Sequence, residues 1–203
     1  MAIELLESDL QIVKKINKAL AKEVNKTLKA SLPKIDLRLK TVLRSSLIYC
    51  PEITSLSSGF LRLDFGLTED PSSFLVSAIV DSLIVDLDPI RYSGNKIAGG
   101  IFIYVQPSSF ANLLSLPIAV QAIENGAGLP WLKWLLTIGD QIVVADFGVE
   151  YGDFGRTGGA HMTVKRRPFK VNSAFSGTED DNFITRAFNR SSSEIIKTIK
   201  EAV

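Results

Sequence analysis

Apolar residues in the first fifty positions recur at intervals of three and four: Val13, Ile16, Leu20, Val24 and Leu28, then Ile35, Leu39, Val42, Leu43 and Leu47. Side chains at that spacing fall on one face of a helix. Lys14, Lys15, Lys18, Lys22, Lys26 and Lys29 fill the opposite face. Ser8 and Gln11 stand at the separation of a capping box, which sets a helix start. Pro33 has no N–H to donate and tolerates only a first-turn position in a helix, so the pattern predicts a break there. The first helix then covers 8–31, about 36 Å at about 1.5 Å per residue. The second runs from Pro33 until Pro51 stops it.

Beyond Pro51 the period changes. Residues 52–70 read as short turns around Gly59 and Gly66. Val, Ile and Leu dominate 78–90, which reads as a long strand. Ser93, Gly94 and Asn95 then supply a turn, and Gly99-Gly100 opens a returning strand over 101–106, completing a hairpin. A short helix over 107–116, a strand over 118–123 closed by Asn125-Gly126, and a short helix over 130–138 ended by Gly139 are expected next. Segments 141–151 and 160–166 read as a second β pair joined by a glycine-rich loop. Thr178 followed by Glu179, Asp180 and Asp181 suits a helix start. Phe183, Ile184, Ala187 and Phe188 make that helix's stripe. Ser191 and Glu194 form another capping box before Ile195, Ile196, Ile199 and Val203. Helices, then strands, then helices argue an α+β fold with an antiparallel sheet of about four to five strands rather than alternating βαβ units. The expected organisation is a single domain over 1–203, with a helical arm over 1–50 and a helical C-terminus over 178–203.

Composition narrows the class. With 203 residues, 46% hydrophobic and 22% charged, the chain is globular and large enough to bury a core. The net charge of +1 hides an uneven distribution: +5 over 1–50, −7 over 51–160 and +3 over 161–203. Basic ends flanking an acidic middle fit either head-to-tail contact between copies or an ordinary solvated helix surface. Glu4, Glu7 and Asp9 stand where an export leader would be basic, so none is expected. The most apolar run, 74–87, is too short to span a membrane and carries Asp81 and Asp86.

Candidate chemistry is sparse. One histidine, His161, and one cysteine, Cys50, leave no conventional zinc set and no His-based triad with a defined nucleophile. Asp86 and Asp88 share a strand face and, with Asp81, suit a cation or, more simply, a charged strand edge. Asp-Phe-Gly occurs at 64–66, 146–148 and 153–155, but His161 follows all three copies, so the kinase arrangement fails. Gly155, Arg156, Thr157, Gly158 and Gly159 form the most unusual short segment. Its glycines and Arg156 suit an anion cradle or a contact-making loop, and it lacks the Lys-Ser/Thr ending of a P-loop. Lys165, Arg166, Arg167 and Lys170 form a small basic patch suited to incidental contact with DNA backbone. Trp131 and Trp134 lie on a very apolar segment that reads as core with one face toward a partner. No catalytic, cofactor or metal residues are therefore assigned, and no cofactor is expected. The candidate residues are interface residues: Lys14, Lys18, Lys22, Trp131, Trp134, Arg156, Thr157, Lys165, Arg166 and Arg167.

Several segments together carry a family resemblance. The amphipathic helix pair leads to Ser58-Gly59-Phe60-Leu61-Arg62, which is similar to the small-Gly-x-Leu-Arg segment of neck or tail-completion proteins of tailed phages. Residues 118–126, ending Glu124-Asn125-Gly126, resemble that family's strand ending in Glu-x-Gly. Leu129-Pro130-Trp131-Leu132-Lys133-Trp134-Leu135-Leu136, Gly155-Arg156-Thr157-Gly158 and the stretch from Phe175 to Ala187 look like segments of virion proteins of marine myophages. The family's usual tyrosine before the Glu-x-Gly strand is missing, and the loops are longer. The resemblance implies a non-enzymatic virion subunit, assembled in the host cytoplasm, partnered by copies of itself in a ring and by other neck or tail proteins, without membrane. The alternatives are a small enzyme binding a phosphorylated or nucleic-acid substrate at the 155–159 loop, and an assembly chaperone absent from particles.

Overall fold

In a computed structural model, which describes residues 8–93, 96–105, 109–122, 128–164 and 168–202, the chain is a mixed α and β structure organised along one helix. Helix α1 (Asp9–Ile48) is unbroken for 40 residues, about 60 Å at 1.5 Å per residue. At its start the Ser8 N–H donates to Gln11 Oε1 at 3.1 Å, as the capping box requires. The predicted break at Pro33 does not occur: Pro33 lies inside the helix, exposed to solvent. Leu28 on one side of it and Ile35 on the other are both buried. Packing on either side holds the two halves in line and outweighs the missing hydrogen bond, whose cost is about 3 kcal/mol.

Pro51 ends nothing beyond α1; it opens α2 (Pro51–Ser58) at the position where a proline fits. The expected turns of 52–70 are therefore largely helical, α2 being followed by α3 (Phe60–Asp64). Helix α4 (Ser72–Asp81) occupies the first residues of the expected strand. Its Leu75, Val76, Ile79 and Val80 are buried at helical spacing, a period that the continuous apolar run of sequence conceals. The strand itself is β1 (Ile84–Ser93), paired antiparallel with β2 (Lys96–Tyr104) as the predicted hairpin. A bulge falls between Asp88 and Arg91. Gly99 faces it at φ +117°, and a Cβ there would lie 2.6 Å from the Pro89 carbonyl oxygen. The turn residues Gly94 and Asn95, and Gln106, Pro107 and Ser108, lie outside the described residues.

Next come α5 (Ala111–Leu114), a single 3₁₀ turn at Pro117–Ala119, and α6 (Trp131–Lys133), which widens into a π-helical turn through Ile138. The strand expected over 118–123 is reduced to one bridge between Gln121 and Leu129; Ile123 to Ala127, with the Asn125-Gly126 turn, lie outside the described residues. Four short strands follow: β3 (Ile142–Val144), β4 (Phe147–Tyr151), β5 (Ala160–Val164) and β6 (Phe169–Lys170). Among the described residues the strands form three separate antiparallel pairs, β1–β2, β3–β6 and β4–β5. The expected single sheet of four to five strands is not formed. Strands β3 to β6 are two to five residues long, and the helical segments from Ala111 to Ile138 separate them from the hairpin in the chain.

Two helices close the chain, α7 (Phe183–Arg190) and α8 (Ser192–Ala202). The cap of α7 is Asn182, not Thr178: Asn182 Oδ1 accepts from the N–H groups of Ile184 and Thr185 at 3.0 and 3.2 Å. Thr178 Oγ1 instead accepts from Asp181 N–H in the turn before it. Ser191 precedes α8 as expected, but its hydroxyl donates back to the Ala187 carbonyl.

The core gathers the C-terminal half of α1 (Ile35, Leu39, Leu43, Leu47), Leu56, Leu61 and Phe65 of α2–α3 and the following turn, α4, the tryptophan helix and α7. Each such side chain contributes about 1.5–3 kcal/mol by leaving water. Among the described residues one charge is buried inside it. Glu52, 3% exposed, accepts from Arg186 Nη2 at 2.7 Å, tying α2 to α7. Arg186 also bonds Asp181 at 3.1 Å.

Two stability measurements follow from this packing. Pro33→Ala restores an amide donor inside a helix already held straight, and chemical denaturation should show a gain of about 1–3 kcal/mol. Arg186→Leu strands the Glu52 carboxylate in the core. Because Arg186 is itself partly exposed, the loss at neutral pH should be about 2–3 kcal/mol rather than the full buried-pair value.

Candidate interaction surfaces

The N-terminal third of α1 leaves the body with its apolar stripe uncovered. Leu10 is 77% exposed, Val13 49%, Ile16 59% and Leu20 50%. At 100° per residue these four fall within about 120° of arc, on the side of the helix that buries Ala21, Leu28 and Ile35 further along. Lys14, Lys18 and Lys22 are all exposed and step along the adjoining shoulder. This segment is the arm. It is held straight by the body: Asn25 reaches across to β1, its Nδ2 donating to the Ile90 carbonyl at 2.8 Å and its Oδ1 accepting from the Ile90 N–H at 2.7 Å. Ser31 is tied to the Ala202 carbonyl at the end of α8.

The hairpin offers a second uncovered face. Alternation along β1 and β2 sends Val85, Ile101 and Ile103 inward against the core. It sends Ile84, Asp86, Phe102 and Tyr104 outward, where all four are exposed. Ile84 pairs with Tyr104 and Asp86 with Phe102, so the four form two adjacent rungs. The Phe102 and Tyr104 rings stack along the strand, 6.4 Å apart and within 15° of parallel. A groove beside Tyr104 is floored by Phe110, Ile184 and Phe188 and rimmed by Glu179 and Asp180.

The glycine-rich loop between β4 and β5 is a third feature. Gly155 adopts φ +77°, and a Cβ on it would lie 2.2 Å from the Ala160 carbonyl oxygen, so no other residue fits. Thr157 is turned inward, its hydroxyl donating to the Ala160 carbonyl at 3.2 Å and accepting from Gly159 N–H. The N–H groups of Gly152, Phe154 and Gly158 also bond within the loop. These donors are committed to the turn and are not aimed at an outside anion. Arg156 is exposed but engaged: Nη1 donates to the Ala122 carbonyl at 2.8 Å, and its guanidinium covers Gly66.

That guanidinium borders a cleft that also holds Asp64, Gln121, Met162 and His161. His161 stands opposite Glu150 across β4–β5, 3.9 Å away, with its ring edge-on to Phe154. Asp64 accepts a short hydrogen bond from the Tyr151 hydroxyl. Burial pushes the Asp64 carboxyl above its usual range, against the opposing pull of that hydrogen bond. Burial, then the bond to Asp64, pushes the Tyr151 phenol up. This pairing of Asp64 with Tyr151 escaped the sequence reading. The two are 87 positions apart and nothing local marks them as neighbours.

The remaining candidates separate. Trp131 is fully buried and donates from Nε1 to the Ile118 carbonyl at 2.7 Å, so it is a core residue and not a partner contact. Trp134 is half-buried and packs with Phe65 and Phe169 at ring distances of 6.4 and 6.3 Å. Lys165, Arg166 and Arg167 lie outside the described residues, while Lys170 is exposed. Cys50 is buried at the head of α2, its Sγ 2.7 Å from Arg190 Nη2; burial raises its pKa and Arg190 opposes that. Among the described residues no helix is long and apolar enough to cross a membrane. Asp86 and Asp88 join no group of three or more potential metal ligands among those residues.

Comparison with protein-family models, curated proteins and solved structures finds no match to this chain.

The Asp64–Tyr151 pair is testable by pH. A carboxyl whose folded pKa is raised loses stability as pH climbs from its unfolded pKa through the folded one, so Asp64→Asn removes a penalty that is absent in acid and complete above that window. In thermal melts from about pH 3 to about pH 8, spanning the ordinary carboxylate range, the variant should gain on the parent as pH rises and match it at the acid end.

Proposed function

We propose that this chain is a structural virion protein of a tailed phage. In this reading it is a subunit of the neck or tail, in a tail-completion, terminator or connector ring, and works through contacts between subunits. The observation that carries the working principle is the arm: four large apolar side chains exposed in a row on a rigid helix that its own body leaves bare. Isolated exposed leucines are ordinary, but a contiguous stripe on an element projecting from the fold marks a docking surface. A ring needs one surface on each copy to meet a different surface on the next, and the arm and the hairpin face are two such surfaces on one chain. The virion setting rests on the likeness of the 58–62, 118–126, 129–136, 155–158 and 175–187 segments to neck and myophage virion proteins.

The enzyme reading draws on the cleft where Asp64, Arg156 and His161 converge. It is the weaker one because the 155–159 loop spends the N–H groups of Gly158 and Gly159 and the Thr157 hydroxyl on its own turn. Mass spectrometry of purified particles of the phage encoding this chain is the direct test. The chain should be present at a fixed multiple per particle. Presence in infected cells but absence from particles would favour the assembly chaperone instead.

A further inference from the structure

We infer that the arm of one copy docks across the outer face of the β1–β2 hairpin of the next, so that each hairpin lies against its own α1 along β1 and carries a neighbour's arm on its outer face. This rests on the self-assembling subunit proposed above and names the surfaces that assemble.

The two faces need partners, and they cannot satisfy each other within one chain. Helix α1 packs along β1, pinned by the paired Asn25–Ile90 hydrogen bonds. An unbroken helix that runs along β1 cannot turn back to lay its own N-terminal residues across the outer face of that ribbon. A two-stranded ribbon is also a poor structure alone and gains stability from cover. The dimensions agree. Leu10 to Leu20 spans about 15 Å of helix, and the outer rungs from Ile84–Tyr104 to Asp88–Gly100 span about 14 Å of strand. Gly100, on the last of these rungs, has open space above it, so a helix can lie close there. Charge agrees as well. The arm is basic, with Lys14 nearest the stripe and Lys18 and Lys22 beyond it. The hairpin face presents Asp86, and Glu179 and Asp180 stand exposed beside Tyr104. Such pairing orients the approach and disfavours arm against arm, where lysines would face lysines.

The contact is heterologous, and that makes it separable by mixing. Val13→Asp disables the arm and Phe102→Asp disables the face. Both positions are exposed, so circular dichroism should show the parent fold in each. By native mass measurement over a dilution series, the parent should be a closed oligomer and each variant alone a monomer. Mixed at the concentrated end, the variants should form a one-to-one dimer and nothing larger, because one intact arm meets one intact face and no further pair remains. Persistence of the parent oligomer in Phe102→Asp, or a mixture that stays monomeric, would overturn this docking while leaving self-assembly standing. A parent that is monomeric throughout would remove the self-assembling subunit itself.

Discussion

The structure depends on the burial of one half of a very long helix. Ile35, Leu39, Leu43 and Leu47 of α1 are almost wholly removed from water by α2, α4 and α7. That clamp fixes the axis of all 40 residues, because a helix transmits direction along its backbone hydrogen bonds. The anchored half therefore determines where the unburied half points. Pro33 sits between them and would ordinarily bend the chain, yet side chains buried on both sides of it keep the axis continuous. The cost of one absent backbone bond is small beside four fully buried aliphatic side chains.

Around that clamp the polar interior is small and specific. Glu52 enters the core because Arg186 meets it, and Arg186 is placed by α7. Helix α7 in turn starts where Asn182 can cap it, with both its side-chain oxygen and its backbone N–H used. Cys50 completes the same corner, between Ser46 of α1, Phe183 and Arg190. The C-terminal helices thus lock onto α1 by directed bonds as well as by apolar contact. A buried ion pair adds little net stability over a well-packed apolar pair, but it penalises wrong arrangements, which would leave a carboxylate unpaired.

What the body holds rigid, it also presents. The arm carries apolar residues and lysines away from the core. The hairpin turns Ile84, Phe102 and Tyr104 outward beside acidic groups. A single fold that exposes two distinct apolar surfaces, one beside lysines and one beside carboxylates, fits the assembly by repetition proposed above. The cleft around Asp64, Tyr151, Arg156 and His161 has a different character, its polar groups bonded chiefly to one another and to nearby backbone. Arg156 and Thr157 are drawn into the fold there, holding Gly66, Ala122 and Ala160 in place.

Local pattern in the sequence determined the helical arm with its stripe and lysines, the hairpin, the glycine-closed tryptophan helix and the C-terminal helices. In each, side-chain period or turn chemistry acts within a few residues, so linear order carries the information. Only tertiary structure decided four other matters: that α1 runs through Pro33, that 72–81 is helix although it carries Val and Ile, that the described strands stay in pairs, and that Trp131 turns no face outward. Each turns on what lies opposite in space. A proline is tolerated when both flanks are packed, an apolar run takes whichever period its neighbours bury, and a tryptophan is interior or interface according to what covers it. The Asp64–Tyr151 contact belongs to the same class, since chain closure across 87 residues leaves no trace in the order of amino acids. The stripe from Leu10 to Leu20 was legible as apolar from sequence alone. That it remains uncovered is a property of the folded body, which ends before the helix does.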